Sequence, residues 1–258
     1  MRVSELGRII LACHEDYAPA VVRAFSVKEV RHIGKLCLYD LDRDVTDEQR
    51  VVITRSGLWI RRYLDRFYLC GSLVNLRHNQ GLVDRFFEVI AAEYEQLIDV
   101  SRNLDNIRNL LNFIRQLQGE IRGEILLDYG CGTGLSIAIG RELGVGITGM
   151  DRCASMRRRA SARGMTTWSP GDLARAARES LTSAFASYVL HLATNPQGLR
   201  LLWARLRPGA VFVANFHKGV GIDAAHASLE PLGALIRRLP SPQGADRHGP
   251  YVAYVKKP

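Results

Sequence analysis

No run of roughly 18 apolar residues occurs in this chain, so a membrane-spanning helix is not expected. Cysteine is sparse. The five residues Cys13, Cys37, Cys70, Cys131 and Cys153 are odd in number, widely spaced and form no C-x-x-C pair. That excludes a disulfide framework and a cysteine-held metal cluster, and points to reduced thiols in a cytoplasmic protein with no metal site. The opening Met1-Arg2-Val3-Ser4-Glu5 lacks the apolar run and small-residue cleavage site of a secretory leader. Internal repeats and low-complexity tracts are missing as well. An excess of either charge is missing from the first part: residues 1–120 hold 17 Lys+Arg and 17 Asp+Glu, and the remaining 138 hold 18 against 9. The formal charge of +9 therefore resides wholly in the second part, and a nucleic-acid argument from charge has to rest there.

What is present suffices for a folded protein. Among 258 residues, 47% are hydrophobic and 24% charged, enough for one large domain or two small ones and too apolar for disorder as the main state. The texture changes near Gly119–Gly123. Before it the apolar spacing predicts helices over 6–11, 16–38, 58–69, 81–98 and 102–117, with one β-rich run over 50–54. After it, short β-rich runs (124–129, 145–150, 165–168, 181–187, 210–216, 232–239, 251–256) alternate with helical ones (135–143, 154–162, 173–180, 198–206, 222–229). Such alternation is the pattern of a doubly wound, parallel α/β sheet of seven strands, Rossmann-like in class.

Glycine is concentrated where it can carry chemistry. In Leu127-Asp128-Tyr129-Gly130-Cys131-Gly132-Thr133-Gly134 an apolar strand runs into three alternate glycines and then a helix. Glycine permits positive φ and close ligand approach, and a helix start offers free N–H groups. A dinucleotide fingerprint would require its third glycine at Leu135, and the phosphate-loop Lys-Ser/Thr is missing, so the match is to neither. Asp128 at the strand end suits a cationic ligand. The next strand ends at Asp151, followed by Arg152, where a carboxylate can accept both ribose hydroxyls. The third is followed by Gly171-Asp172-Leu173, where an acidic residue can receive an adenine amino group.

With these residues the sequence resembles the class I S-adenosylmethionine-dependent methyltransferases from about Glu124 to Lys257. Asp128, Gly130, Cys131, Gly132, Thr133 and Gly134 match their first motif, Asp151 the ribose acid, Gly171-Asp172-Leu173 the adenine loop, and Leu206–Ala210 the approach to the fifth strand. Ser187–Leu192 resembles the exit of the fourth strand, without the Asp often found in that strand. Phe86–Glu95 resembles the helix that precedes the core in quinone-modifying relatives, where a tyrosine sits over the cofactor. The resemblance implies S-adenosyl-L-methionine as cofactor, Tyr94 over it, and His191 beside the transferred methyl as the group that takes a proton. It further implies transfer to an O, N or C atom of a small molecule, such as a secondary metabolite or quinone-like compound. An RNA methyltransferase, or a non-catalytic S-adenosylmethionine-binding regulator, is the alternative.

The expected organisation is an N-terminal module over 1–75, a helical connector over 76–120 that caps the cofactor site, and the core over 121–258. Val51–Gly57 followed by a helical pattern resembles a winged helix, and a plain helical cap is the equal alternative. Small-molecule O-methyltransferases of plant type use such a part to dimerise and enclose substrate, which implies a homodimer here. Asp40, Asp42, Asp44, Asp47 and Glu48 just ahead of the wing oppose phosphate contacts, so no nucleic-acid partner is expected.

Overall fold

The computed structural model describes residues 9–27, 31–33, 35–64, 67–71, 80–192, 195–242 and 246–258. The chain forms two compact units, Met1–Asn79 with Glu93–Asp99, and Gln80–Ala92 with Val100–Pro258.

The first unit is α/β. Strands β1 (Ile9–His14), β2 (Arg31–Ile33), β3 (Leu36–Leu41), β4 (Trp59–Leu64) and β5 (Phe67–Gly71) form one sheet in the order β2-β3-β1-β5-β4. β1 and β5 are parallel and the other pairs antiparallel. Helices α1 (Ala18–Phe25) and α2 (Asp47–Arg55) bury Val21, Phe25 and Ile53 against Leu11, Tyr39, Ile60 and Tyr68 of the sheet. This overturns the expectation of a mainly helical, winged-helix-like N-terminal part. Residues 9–11 form a strand (6–8 lie outside the described residues), 51–54 belong to α2, and the pattern read as a helix over 58–69 is the β4–β5 hairpin.

The local cause is visible at α2. Thr46 Oγ1 accepts from Gln49 N at 3.3 Å and Gln49 Oε1 accepts from Thr46 N at 2.9 Å, a reciprocal cap that starts a helix. Ile53 then points inward while Val51 and Val52 remain 48% and 38% exposed, so the β-branched run serves one helical face.

The second unit opens with α3 (Gln80–Ile90); the helix expected over 81–98 is broken by a turn, and its last part, α4 (Tyr94–Leu97), belongs to the first unit. Then come α5 (Val100–Gln118), β6 (Ile125–Tyr129), α6 (Ser136–Leu143), β7 (Gly146–Met150), α7 (Ala154–Ala162), β8 (Thr166–Trp168) and α8 (Pro170–Arg175). They are followed by β9 (Leu181–Ala186), α9 (Pro196–Arg205), β10 (Leu206–Asn215), α10 (Ile222–Leu229), β11 (Leu235–Leu239) and β12 (Tyr251–Val255). The sheet order is β11-β12-β10-β9-β6-β7-β8. Six strands run in one direction; β12 alone runs antiparallel to both its neighbours, β10 and β11, so the sheet is mixed rather than fully parallel.

Alternate residues of the central strands feed two cores. Leu126, Val211 and Val213 pack with Ile107, Leu110, Ile114 and Ile139 on one face. Leu127, Phe212 and Ala214 pack with Leu199, Leu202, Trp203 and Leu229 on the other. Helices therefore cover both faces, as a doubly wound sheet requires. Strand order reverses between β6 and β9, and in such sheets the ligand crevice lies outside the carboxyl ends at that reversal.

Candidate active site

The glycine loop leaves β6 at this reversal. Gly130, Gly132 and Gly134 have φ of 81°, 54° and 82°. A Cβ on Gly130 would collide with Val189 Cγ2, and one on Gly134 would meet Ala160 Cα at 2.9 Å, so the loop is bare where it passes β9's exit and α7. Its N–H groups bind back to the next strand. Gly130 N and Cys131 N donate to Met150 O at 2.6 and 3.0 Å. Gly132 N donates to Asp151 Oδ2 at 2.9 Å, and Cys153 N to Asp151 Oδ1 at 2.8 Å.

Two carboxyls thus meet at the loop. Asp128 is buried and its Oδ2 accepts from Ser136 Oγ at 2.5 Å. Burial, helped by the charge of Asp151 and opposed by the Ser136 bond, raises its pKa to about 7. Burial likewise raises Asp151 to about 6, against the bonds from Cys153 and Gly132 and the charge of Arg157. Asp128 Oδ1 and Thr133 Oγ1 are buried with no hydrogen-bond partner among the described residues. Two unmatched polar atoms, bare glycine backbone and two carboxyls held partly protonated fit a cationic, hydroxyl-bearing ligand.

The loop after β7 is braced from α3. Arg152 pairs with Asp84, at 2.8 Å from Nη2 to Oδ2. Glu88 accepts from Ala154 N, and from Ser155 N at 3.1 Å, so an acidic side chain caps the start of α7. Arg157 also turns inward, donating to the carbonyls of Asp151 and Arg152 at 2.7 and 2.9 Å. After β8, Asp172 is drawn into its own helix start. It accepts from Ser169 N at 2.8 Å and Ser169 Oγ at 2.7 Å, and from Arg175 Nη2 at 2.5 Å. These bonds hold its carboxyl down at about 2. Leu173 is buried in the core beneath.

At the exit of β9, the expected His191 is joined by residues that the sequence did not single out. His191, buried as it follows the strand, stands edge-on to Tyr188 at 6.4 Å between ring centroids and 5.6 Å from His217, which follows β10. Tyr188 Oη lies 2.5 Å from Nδ1 of His248, which precedes β12, and accepts from Arg102 Nε of α5 at 3.2 Å. Asn215, at the end of β10, accepts from Tyr188 N at 2.7 Å. The available signal was position: polar residues just past the carboxyl ends of neighbouring strands. Tyr94 begins α4 in the first unit, while the other expected site residues lie in the second.

Residues 127–214 match the family described as a methyltransferase domain. No curated protein matches the chain. Among solved structures, the chain is similar to a Haloferax volcanii protein in complex with a methyltransferase activator (15% identity, 67% of this chain and 98% of that one, TM-score 0.49). It is also similar to an S-adenosylmethionine-dependent methyltransferase from Archaeoglobus fulgidus (17%, 60% and 94%, 0.45). A third, from Mesorhizobium loti, gives 19%, 59% and 100%, and 0.45.

Proposed function

We propose that this chain, which carries a class I S-adenosylmethionine-dependent methyltransferase domain, methylates an O, N or C atom of a small molecule. The observation that carries the reading is the bare glycine loop at the strand reversal, with Asp128 and Asp151 converging on it. Gly130, Cys131, Gly132, Thr133 and Gly134 offer backbone to the methionyl part, and Asp128 receives its cationic end. Asp151, with Arg152 fixed beside it, takes the ribose hydroxyls. Asp172 and Leu173 border the adenine, where backbone is the better contact because Ser169 and Arg175 occupy both Asp172 oxygens. When bound, S-adenosyl-L-methionine supplies an electrophilic methyl group on its sulfonium.

The chain's task is then chiefly to hold an acceptor in line, which can supply roughly 7–11 kcal/mol of barrier reduction. His191 lines the acceptor in this reading. The exposed Val22, Val51, Val52 and Trp59 of the first unit support a role in pairing two subunits. Among the described residues, no helix is long and apolar enough to cross a membrane. The test is incubation of the protein with methyl-labelled cofactor and, separately, a metabolite extract and total RNA. Label is expected in a low-molecular-weight product; label in RNA alone would overturn the small-molecule reading.

A further inference from the structure

Tyr188, just past the carboxyl end of β9, is held in a constrained backbone conformation. Its φ is 56°, a left-handed conformation that a bulky aromatic side chain adopts only when the surroundings force it. Asn215 supplies that force: its Oδ1 accepts from Tyr188 N at 2.7 Å and from Asn106 Nδ2 at 2.9 Å, while its Nδ2 donates to His248 O at 2.8 Å. Asn106 is fixed in turn by Tyr251 Oη at 2.8 Å. One buried amide network thus sets both the backbone of Tyr188 and the backbone of His248, the two residues whose side chains meet at 2.5 Å. The network is buried while Tyr188 itself is only half-buried, so a rigid base presents a partly open ring. Strain of about 1–3 kcal/mol held this way is found mainly at functional sites.

We propose that Tyr188 and His248 form a proton relay for the methyl acceptor, and that the acceptor is a planar hydroxyaromatic molecule. This rests on the methyltransferase reading above. Arg102 approaches Tyr188 twice, with Nε 3.2 Å from the hydroxyl and the guanidinium 5.7 Å from the ring centre. Arginine can only donate, whereas Tyr188 Oη and His248 Nδ1 can exchange a proton. Arg102 stabilises any negative charge on the phenolic oxygen. The His191 and His217 rings stand steeply inclined to the same ring, 6.4 and 6.1 Å from its centre, so Tyr188 lies in an aromatic surrounding that suits an aromatic guest.

The step balances without a further reactant. As the acceptor oxygen bonds to the methyl carbon, the S–C bond breaks and its electron pair stays on sulfur. The acceptor's hydroxyl proton passes to Tyr188 Oη as the Tyr188 proton passes to His248 Nδ1. One positive charge leaves the sulfonium and one appears on the imidazole, so no net charge is created in the crevice. The proton returns to solvent through Tyr188 once the product has left. His191 serves here as part of that aromatic surrounding.

The test uses the full chain saturated with S-adenosylhomocysteine, which prevents turnover, and 4-nitrophenol as probe, buffered one unit below the probe's pKa. Proton uptake by the relay turns the bound probe into its yellow phenolate. The wild type is expected to show at least about threefold more phenolate than the free probe. Tyr188→Phe and His248→Gln are each expected to lose that excess with S-adenosylhomocysteine affinity unchanged within about threefold. A probe that stays neutral or unbound in the wild type, or an excess that survives Tyr188→Phe, overturns the relay. If Tyr188→Phe fails to fold, His248→Gln alone decides, since it leaves the clamp on Tyr188 N in place. Failure of the wild type to bind S-adenosylhomocysteine would instead overturn the methyltransferase reading.

Discussion

At the residue scale, the decisive pair is Asp128 and Asp151. Burial holds Asp128 at about 7 and Asp151 at about 6, both above the ordinary 3.8. The folded, ligand-free protein therefore keeps these protons at a pH where the unfolded chain has released them. Their contribution to stability is full below about pH 4 and is lost as pH rises through about 6 and 7. Melting of the cofactor-free protein is thus expected to fall between about pH 5 and 8, and Asp128→Asn is expected to flatten much of that slope. A cationic ligand favours the ionised carboxyls, so its affinity is expected to rise over the same interval. Calorimetry at about pH 5.5 and 8 checks this, and tighter binding at the acid end would contradict it. The glycine loop and both acids were legible in the sequence because an apolar strand, alternate glycines and acidic strand ends are all local signals. Tyr188, His217 and His248 were not, since strand pairing brings them together from three separate places in the chain.

At the element scale, α3 has a measurable task. Glu88 accepts from two N–H groups at the start of α7, directly after Asp151. Glu88→Ala leaves them without that partner and is expected to cost about 1 kcal/mol, the scale of a lost N-terminal cap. It is also expected to weaken S-adenosylmethionine binding severalfold by loosening the Asp151 loop. Glu88→Gln, which keeps an acceptor oxygen, is expected to recover part of both in denaturant melts and calorimetry. An unchanged melt for Glu88→Ala would show that the cap carries no weight. Most of the second unit's elements could be read closely, with α7 and α10 ending where the periodicity puts them, while the helix expected over 173–180 is α8, which ends at Arg175. There, apolar strands such as β6 and β10 alternate with amphipathic helices and give unmixed patterns. The first unit misled because its signals conflict. The run Val51–Thr54 has high β-propensity, yet Thr46 and Gln49 start a helix through it; Trp59–Leu64 and Phe67–Gly71 have helix-like spacing, yet pair as a hairpin. Propensity yielded to capping in one case and to cross-strand pairing in the other.

At the scale of the whole molecule, the chain leaves the first unit at residue 79, returns for 93–99, and leaves again. Each unit has its own core, with Cys13, Cys37 and Cys70 in the first unit's cluster and Cys131 in one of the second unit's clusters. A chain starting at residue 80 is accordingly expected to unfold cooperatively and to bind S-adenosylhomocysteine within about threefold of the intact protein. Loss of folding on removal of residues 1–79 would show that the second unit's core is not self-sufficient. If the first unit pairs subunits, Trp59→Glu is expected to lower the mass in solution without altering cofactor affinity. An unchanged mass on light scattering would remove that role. The central claim is that the crevice at the β6–β9 reversal holds S-adenosylmethionine through the loop acids. Its most direct test is a calorimetric titration of the wild type and Asp151→Ala with the cofactor. The account predicts one site on the wild type and at least about tenfold weaker binding by the variant, a difference of roughly 1.4 kcal/mol. Equal affinities, or no binding by the wild type, would contradict it.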